Sequence, residues 1–175
     1  MTSLKRMRFP TLFASAAALA AVTPAAAEDI QIPAPAFVRQ CPCGTESNPA
    51  VETAGTITPV QGRSSYFAAL PYAGRGSVCS MSMVYRDANQ NEALTVSLFR
   101  KKIEVGAQID AAPILVARVV SASGVSDAVR KTDAKRINNP AVNTSNSFYY
   151  LQADFDNINM DLVGVQVDIR NTCPS

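Results

Sequence analysis

The chain has 175 residues, a formal net charge of +2, four cysteines and no histidine. The absence of histidine removes Ser-His-Asp and Cys-His catalysis at the outset, and the near-neutral charge gives no electrostatic reason to expect nucleic acid as a partner. At 47% hydrophobic residues the chain is rich enough for one folded domain with a substantial core.

The N-terminus carries Lys5, Arg6 and Arg8, then an apolar run over residues 12–22, Pro24, and the small residues Ala25, Ala26 and Ala27. This order is that of a secretory signal peptide, 1–27, cut after Ala27. The apolar run is too short for a membrane-spanning helix. Cleavage removes three positive charges and leaves 148 residues with a net charge of −1. The expected location is the periplasm or the extracellular space, with no membrane span.

Residues 28–62 hold Pro33, Pro35, Pro42, Pro49 and Pro59. Proline fixes φ and removes a backbone donor, so this stretch reads as a proline-rich arm with room for isolated edge strands near 30–32 and 56–60. Residues 63–175 form the expected β-sandwich domain. Period-two alternation marks residues 77–86, where Cys79, Met81, Met83 and Tyr85 share one face, and residues 93–102, where Leu94, Val96 and Leu98 do. Residues 113–123 are apolar on both parities, as in a strand between two layers. Residues 127–136 allow a turn or two of helix. In 146–155, Tyr149, Leu151, Ala153 and Phe155 take one side, while Phe148 and Tyr150 fall on the outer face or beneath a loop. In 161–171, Val163, Val165, Val167 and Ile169 oppose Gln166, Asp168 and Arg170. Short strands at this spacing, joined by polar turns, predict an all-β antiparallel sandwich of jelly-roll or Greek-key type, with a closed barrel second.

Cys41, Cys43, Cys79 and Cys173 all follow the cleavage point, in a compartment that favours disulfides. A Cys41–Cys43 bridge would strain a tight ring around Pro42. Two schemes remain. Either Cys79 and Cys173 meet on adjacent strands, or each is bonded to the arm. The second is preferred, because it fastens a segment with little core of its own. The parity of their strands points Cys79 and Cys173 toward the core. A spacing of one residue and the lack of histidine argue against zinc, and no Cys-x-x-Cys supports a redox role.

Asp87, Asn89 and Asn91 open like a calcium loop, but Glu92 and Leu98 stand where an EF-hand needs glycine and glutamate. They do not form an EF-hand, and the preferred reading is a polar hairpin turn. A second acidic turn holds Asp154, Asp156 and Asp161. If the strands of Cys79 and Cys173 pair, Asp87 comes near Asp161, and that end of the sandwich becomes a candidate for calcium or a polar ligand. The basic runs Arg100–Lys102 and Arg130–Arg136 read as solvated strand ends that protect edges from pairing.

Three functions are compatible with these features. The leading expectation is a non-catalytic structural or protein-interaction role in the cell envelope. The second is a carbohydrate-binding module, with calcium as an optional aid and polysaccharide as its partner. The third is a small hydrolase using two carboxylates.

Overall fold

The computed structural model describes residues 27–39, 50–51, 55–59, 63–103 and 112–174. Residues 1–26, and with them the expected signal peptide except Ala27, lie outside the described residues, as do Cys41 and Cys43. Among the described residues twelve strands follow in chain order: β1 (Glu28–Pro33), β2 (Val38–Arg39), β3 (Ala50–Val51), β4 (Ile57–Thr58), β5 (Ser64–Ala69), β6 (Arg75–Asp87), β7 (Leu94–Lys102), β8 (Ile114–Val120), β9 (Ser126–Asp133), β10 (Ala141–Asn143), β11 (Ser147–Phe155) and β12 (Met160–Arg170). All pairings are antiparallel. One sheet centres on β6 and β12, with β9 and β10 along the free edge of β6, and β1 and β4 along that of β12; β3 extends β4. The other sheet runs β2-β5-β11-β7-β8. From β5 to β12 the chain passes back and forth between the sheets, so the protein is an antiparallel β-sandwich. Among the described residues no helix is long and apolar enough to cross a membrane.

The alternating residues pack between the sheets as one core. Met81, Met83, Tyr85, Leu162, Val165 and Val167 face Tyr66, Leu94, Val96, Leu98, Leu151 and Phe155. Tyr66 meets Phe155 edge to face at 5.4 Å. Leu151 is fully buried on the central strand of its sheet. Leu151→Ala should therefore cost about 2–5 kcal/mol, the loss of transfer energy plus a cavity. A urea melt with an unchanged slope and a lower midpoint would show it.

Several expectations need correction, and three share one cause. Val163 was expected in the core but is only half-buried. A bulge between Leu162 and Gly164 makes it the extra residue and hands the inward position to Leu162. A second irregularity, between Asp168 and Ile169, leaves Cys79 outside the ladder, so Val78 takes the buried place and Cys79 is only half-buried. A third, between Leu98 and Phe99, turns both Val116 and Ala117 inward and leaves Arg118 and Val120 facing outward. The expected strand between two layers is thus exposed on one face. A bulge adds one residue and inverts the parity beyond it, with no local mark in composition.

The stretch allowed as a turn of helix is the edge strand β9, paired with β6. Its side chains are mostly exposed, so the ladder with β6 rather than an apolar face decides its conformation. The described part of the proline-rich segment is built into the sandwich. Ile30, Ile32, Ala34, Phe37 and Ile57 are buried, and β1 runs six residues along β12. Proline is tolerated there because β1 is an edge strand with Pro33 at its end. Gly164 faces Pro33, and a Cβ on it would lie 3.0 Å from the Ile32 carbonyl oxygen. A side chain there would press β1 back by a few tenths of an ångström.

Cys79 and Cys173 are bonded to each other, with Cα atoms 5.1 Å apart. The preferred scheme, in which each was tied to the arm, is corrected for these two. The β6–β12 pairing already brings the end of β12 beside the start of β6, so the bridge needs no third segment.

Candidate functional site

Strand β11 is central in the five-stranded sheet, and its two faces are unlike. Tyr149, Leu151, Ala153 and Phe155 point to the core, so Phe148, Tyr150, Gln152 and Asp154 point to solvent. The register then builds rows across that outer face. One row reads Ala69, Tyr150, Phe99 and Leu115; the next reads Val38, Phe67, Gln152, Ser97 and Arg118. Tyr150 stacks on Phe99, with ring centroids 5.5 Å apart and planes 27° apart. It also meets Phe67 at 6.2 Å and 42°. Three rings from three strands therefore form one continuous aromatic ridge on the open side of the sheet. Phe148, 66% exposed, lies opposite Lys101 at the end of the same face.

Polar side chains flank the ridge in fixed positions. Asp154 Oδ1 accepts from the Ser65 hydroxyl at 2.6 Å and from Gln152 Nε2 at 2.8 Å. The Gln152 amide is thereby tied to Asp154 through its Nε2, and its Oε1 has no hydrogen-bond partner among the described residues. Burial raises the Tyr150 phenol above its ordinary 10.0, so the hydroxyl stays protonated and able to donate. No partner for it occurs among the described residues.

The acidic turns were the site expected from sequence. They do share one end of the sandwich: Asp87 pairs with Met160, Asp161 pairs with Arg86, and the Ala88 N–H donates to the Asn159 carbonyl. Their carboxylates fall on opposite faces of the sheet. Asp87 is buried on the inner side, where Oδ1 accepts the Asn89 N–H and Oδ2 accepts the Ser121 hydroxyl. It ties the β6–β7 turn to the connection after β8. Asp161 is buried against the Arg86 guanidinium and the Thr58 hydroxyl. Asn89 spends its side chain on the Asn91 N–H and on Glu92. Among the described residues no three His, Cys, Asp or Glu side chains converge as a metal-ligand set. Asp161→Asn should lower stability by about 1–3 kcal/mol, because Arg86 loses its charged acceptor at a largely buried site. A shift of a few degrees in Tm measured by calorimetry would register it.

No protein-family model matches the sequence, and no curated protein sequence matches it. Solved structures do. The C-terminal CBM6 module of a marine laminarinase from Zobellia galactanivorans shares 9% identity over 80% of this chain and 98% of its own, with a TM-score of 0.43. A CBM6 module of Cellvibrio mixtus lichenase 5A, solved with cellotriose, shares 12% over 79% and 95%, with a TM-score of 0.41. The CBM22-1–GH10 portion of Clostridium thermocellum xylanase 10B, complexed with xylohexaose, shares 9% over 85% of this chain and 29% of its own, with a TM-score of 0.45. The sandwich itself rests on the strand pairings above, not on these likenesses. The leading expectation, a structural or protein-interaction role, is corrected: the similar solved structures are or contain carbohydrate-binding modules.

The aromatic ridge is the feature that sequence reasoning only half reached. Phe148 and Tyr150 fall on one parity of their strand, the part of the ridge that alternation marks. Phe67 had no signal, because its place beside Tyr150 depends on how β5 pairs with β11.

Proposed function

We propose that this protein is a non-catalytic carbohydrate-binding module that holds a polysaccharide on the outer face of its five-stranded sheet. The observation that carries this reading is the ridge of Phe67, Tyr150 and Phe99, with Gln152 and Asp154 beside it. A pyranose ring has an apolar C–H face and a rim of hydroxyls. Aromatic rings cover the first, and planar amides and carboxylates bond the second. Because the rings stand on paired strands and pack on each other, little side-chain freedom remains to be lost on binding. The signal-like N-terminus and the Cys79–Cys173 bridge support export from the cytoplasm.

Affinity electrophoresis against a panel of neutral and acidic polysaccharides tests the reading, run with added calcium and with chelator. Retention by at least one polysaccharide is expected. It should be the same in both conditions, since the Asp87 and Asp161 carboxylates are occupied within the protein. Absence of retention on every polysaccharide would remove the proposal. Release of reducing sugar from a retained polysaccharide would replace it with a hydrolase.

A further inference from the structure

The outer face of the five-stranded sheet does not end at the ridge. On β8, Leu115 pairs with Phe99, Arg118 with Ser97 and Val120 with Thr95, so all three lie on the same open side. Beside them runs a groove of about 630 Å³, closed on its far side by residues 132–138, which bring Asp133, Lys135 and Arg136 to its wall. That segment is sewn down. The Ala134 N–H donates to the Met81 carbonyl at 2.8 Å, and the Asn138 N–H to the Val116 carbonyl at 2.6 Å. Ile137 bridges to Ala117. Lys135 and Arg136 are therefore carried on a stretch of backbone tied at both ends.

The charges in this groove differ from those beside β12. On the seven-stranded sheet the carboxylates of Asp29, Asp161 and Asp168 are bonded to Gln166, Arg86 and Arg170. In the groove, Arg118 spends only its Nε, on the Ser97 hydroxyl at 3.3 Å. Among the described residues Lys135 and Arg136 have no ion pair or hydrogen bond. Three cations thus face one carboxylate, that of Asp133, over a floor that includes Leu115 and Val120. The net charge expected after export is −1, so this local excess is not a sample of a generally basic protein.

We infer that the groove binds the anionic substituent of an acidic sugar, a carboxylate or a sulfate ester, in the polysaccharide whose rings lie on the aromatic ridge. The inference rests on the carbohydrate-binding reading and narrows its ligand to acidic polysaccharides. Apolar floor and cationic wall match a sugar ring that carries an anion. A single exposed charge contact contributes little, but a repeating polyanion engages several at once, and salt weakens them together.

The test is affinity electrophoresis of the full chain on a polyuronate, a sulfated galactan and a neutral β-glucan, with single-stranded DNA as a further polyanion. The variants are Arg118→Gln, and Arg118→Gln with Lys135→Gln and Arg136→Gln. All three side chains are exposed, so Tm should hold, and it is measured to confirm that the variants fold. The wild type should favour at least one acidic polysaccharide over the glucan. The triple variant should lose roughly tenfold or more of that affinity, three exposed contacts each supplying about two- to fourfold, while any glucan binding stays unchanged. The polyuronate and galactan arms separate carboxylate from sulfate. Equal binding of glucan and acidic polysaccharides by the wild type would overturn the inference and leave the carbohydrate reading intact. Preference undiminished in the folded triple variant would also overturn it, as would DNA bound as tightly as either acidic polysaccharide. No retention of any polysaccharide would end both.

Discussion

Replacing Phe99 and Tyr150 together with alanine is expected to abolish polysaccharide retention in a protein that still folds. The two rings stack at 5.5 Å and form the middle of the ridge, with Phe67 leaning on Tyr150 from the other side. Losing one well-placed aromatic anchor typically costs about 2 kcal/mol of binding, a factor of roughly thirty, and the double variant removes two adjacent ones. The cost to folding is smaller. Both rings point outward, so their loss removes a cross-strand pair worth about 0.5–1.5 kcal/mol and opens no cavity in the core. Tyr150→Phe separates stacking from hydrogen bonding. It keeps the ring and should weaken binding by less than about tenfold. Because burial raises the Tyr150 phenol above its ordinary 10.0, it stays protonated well below that value, and its contribution should not vary between about pH 6 and 9. Titration calorimetry on the polysaccharide identified by electrophoresis reads all of these. A folded double variant with wild-type affinity would move the site away from this face.

The second large effect concerns stability. Cys79→Ser with Cys173→Ser should lower stability by about 4 kcal/mol, and the melting temperature by roughly 10 °C or more. The bridge spans 94 residues of sequence, and cross-linking so long a loop removes much of the unfolded chain's freedom. The β6–β12 ladder holds the same strands together in the native state without it, so the loss falls mainly on the unfolded side. Ligand affinity should be unchanged. The double substitution is a cleaner experiment than reductant, because it alters these two cysteines alone. A Tm within two or three degrees of the wild type would mean that the denatured chain is already compact, or that the ladder alone limits unfolding.

The contrast between the site expected from sequence and the one proposed from the structure is instructive. Asp87, Asn89, Asn91 and Asp161 were singled out because oxygen-bearing side chains at short spacing resemble cation ligands. The structure uses the same oxygens to close turns and neutralise Arg86. Short-range spacing cannot distinguish these uses, since a turn needs acceptors for its own N–H groups as much as an ion needs ligands. The ridge had the opposite fate. Phe67, Phe99 and Tyr150 are widely separated in sequence, and each looks ordinary alone.

Sequence by itself determined the all-β class, most of the core and the pairing opportunity of Cys79 and Cys173. Alternation is a local property: a strand with one face buried must repeat every two residues, and Met81, Met83, Leu94, Val96 and Leu98 do so. Tertiary structure alone decided the register. Bulges moved Cys79 and Val163 out of the core pattern, β12 recruited the proline-bearing β1, and β11 gathered rings from β5 and β7 onto one face. Register depends on which distant strand supplies the hydrogen-bond partners and on where one extra residue is inserted. No window of sequence contains that choice, and the proposed binding face is made by it.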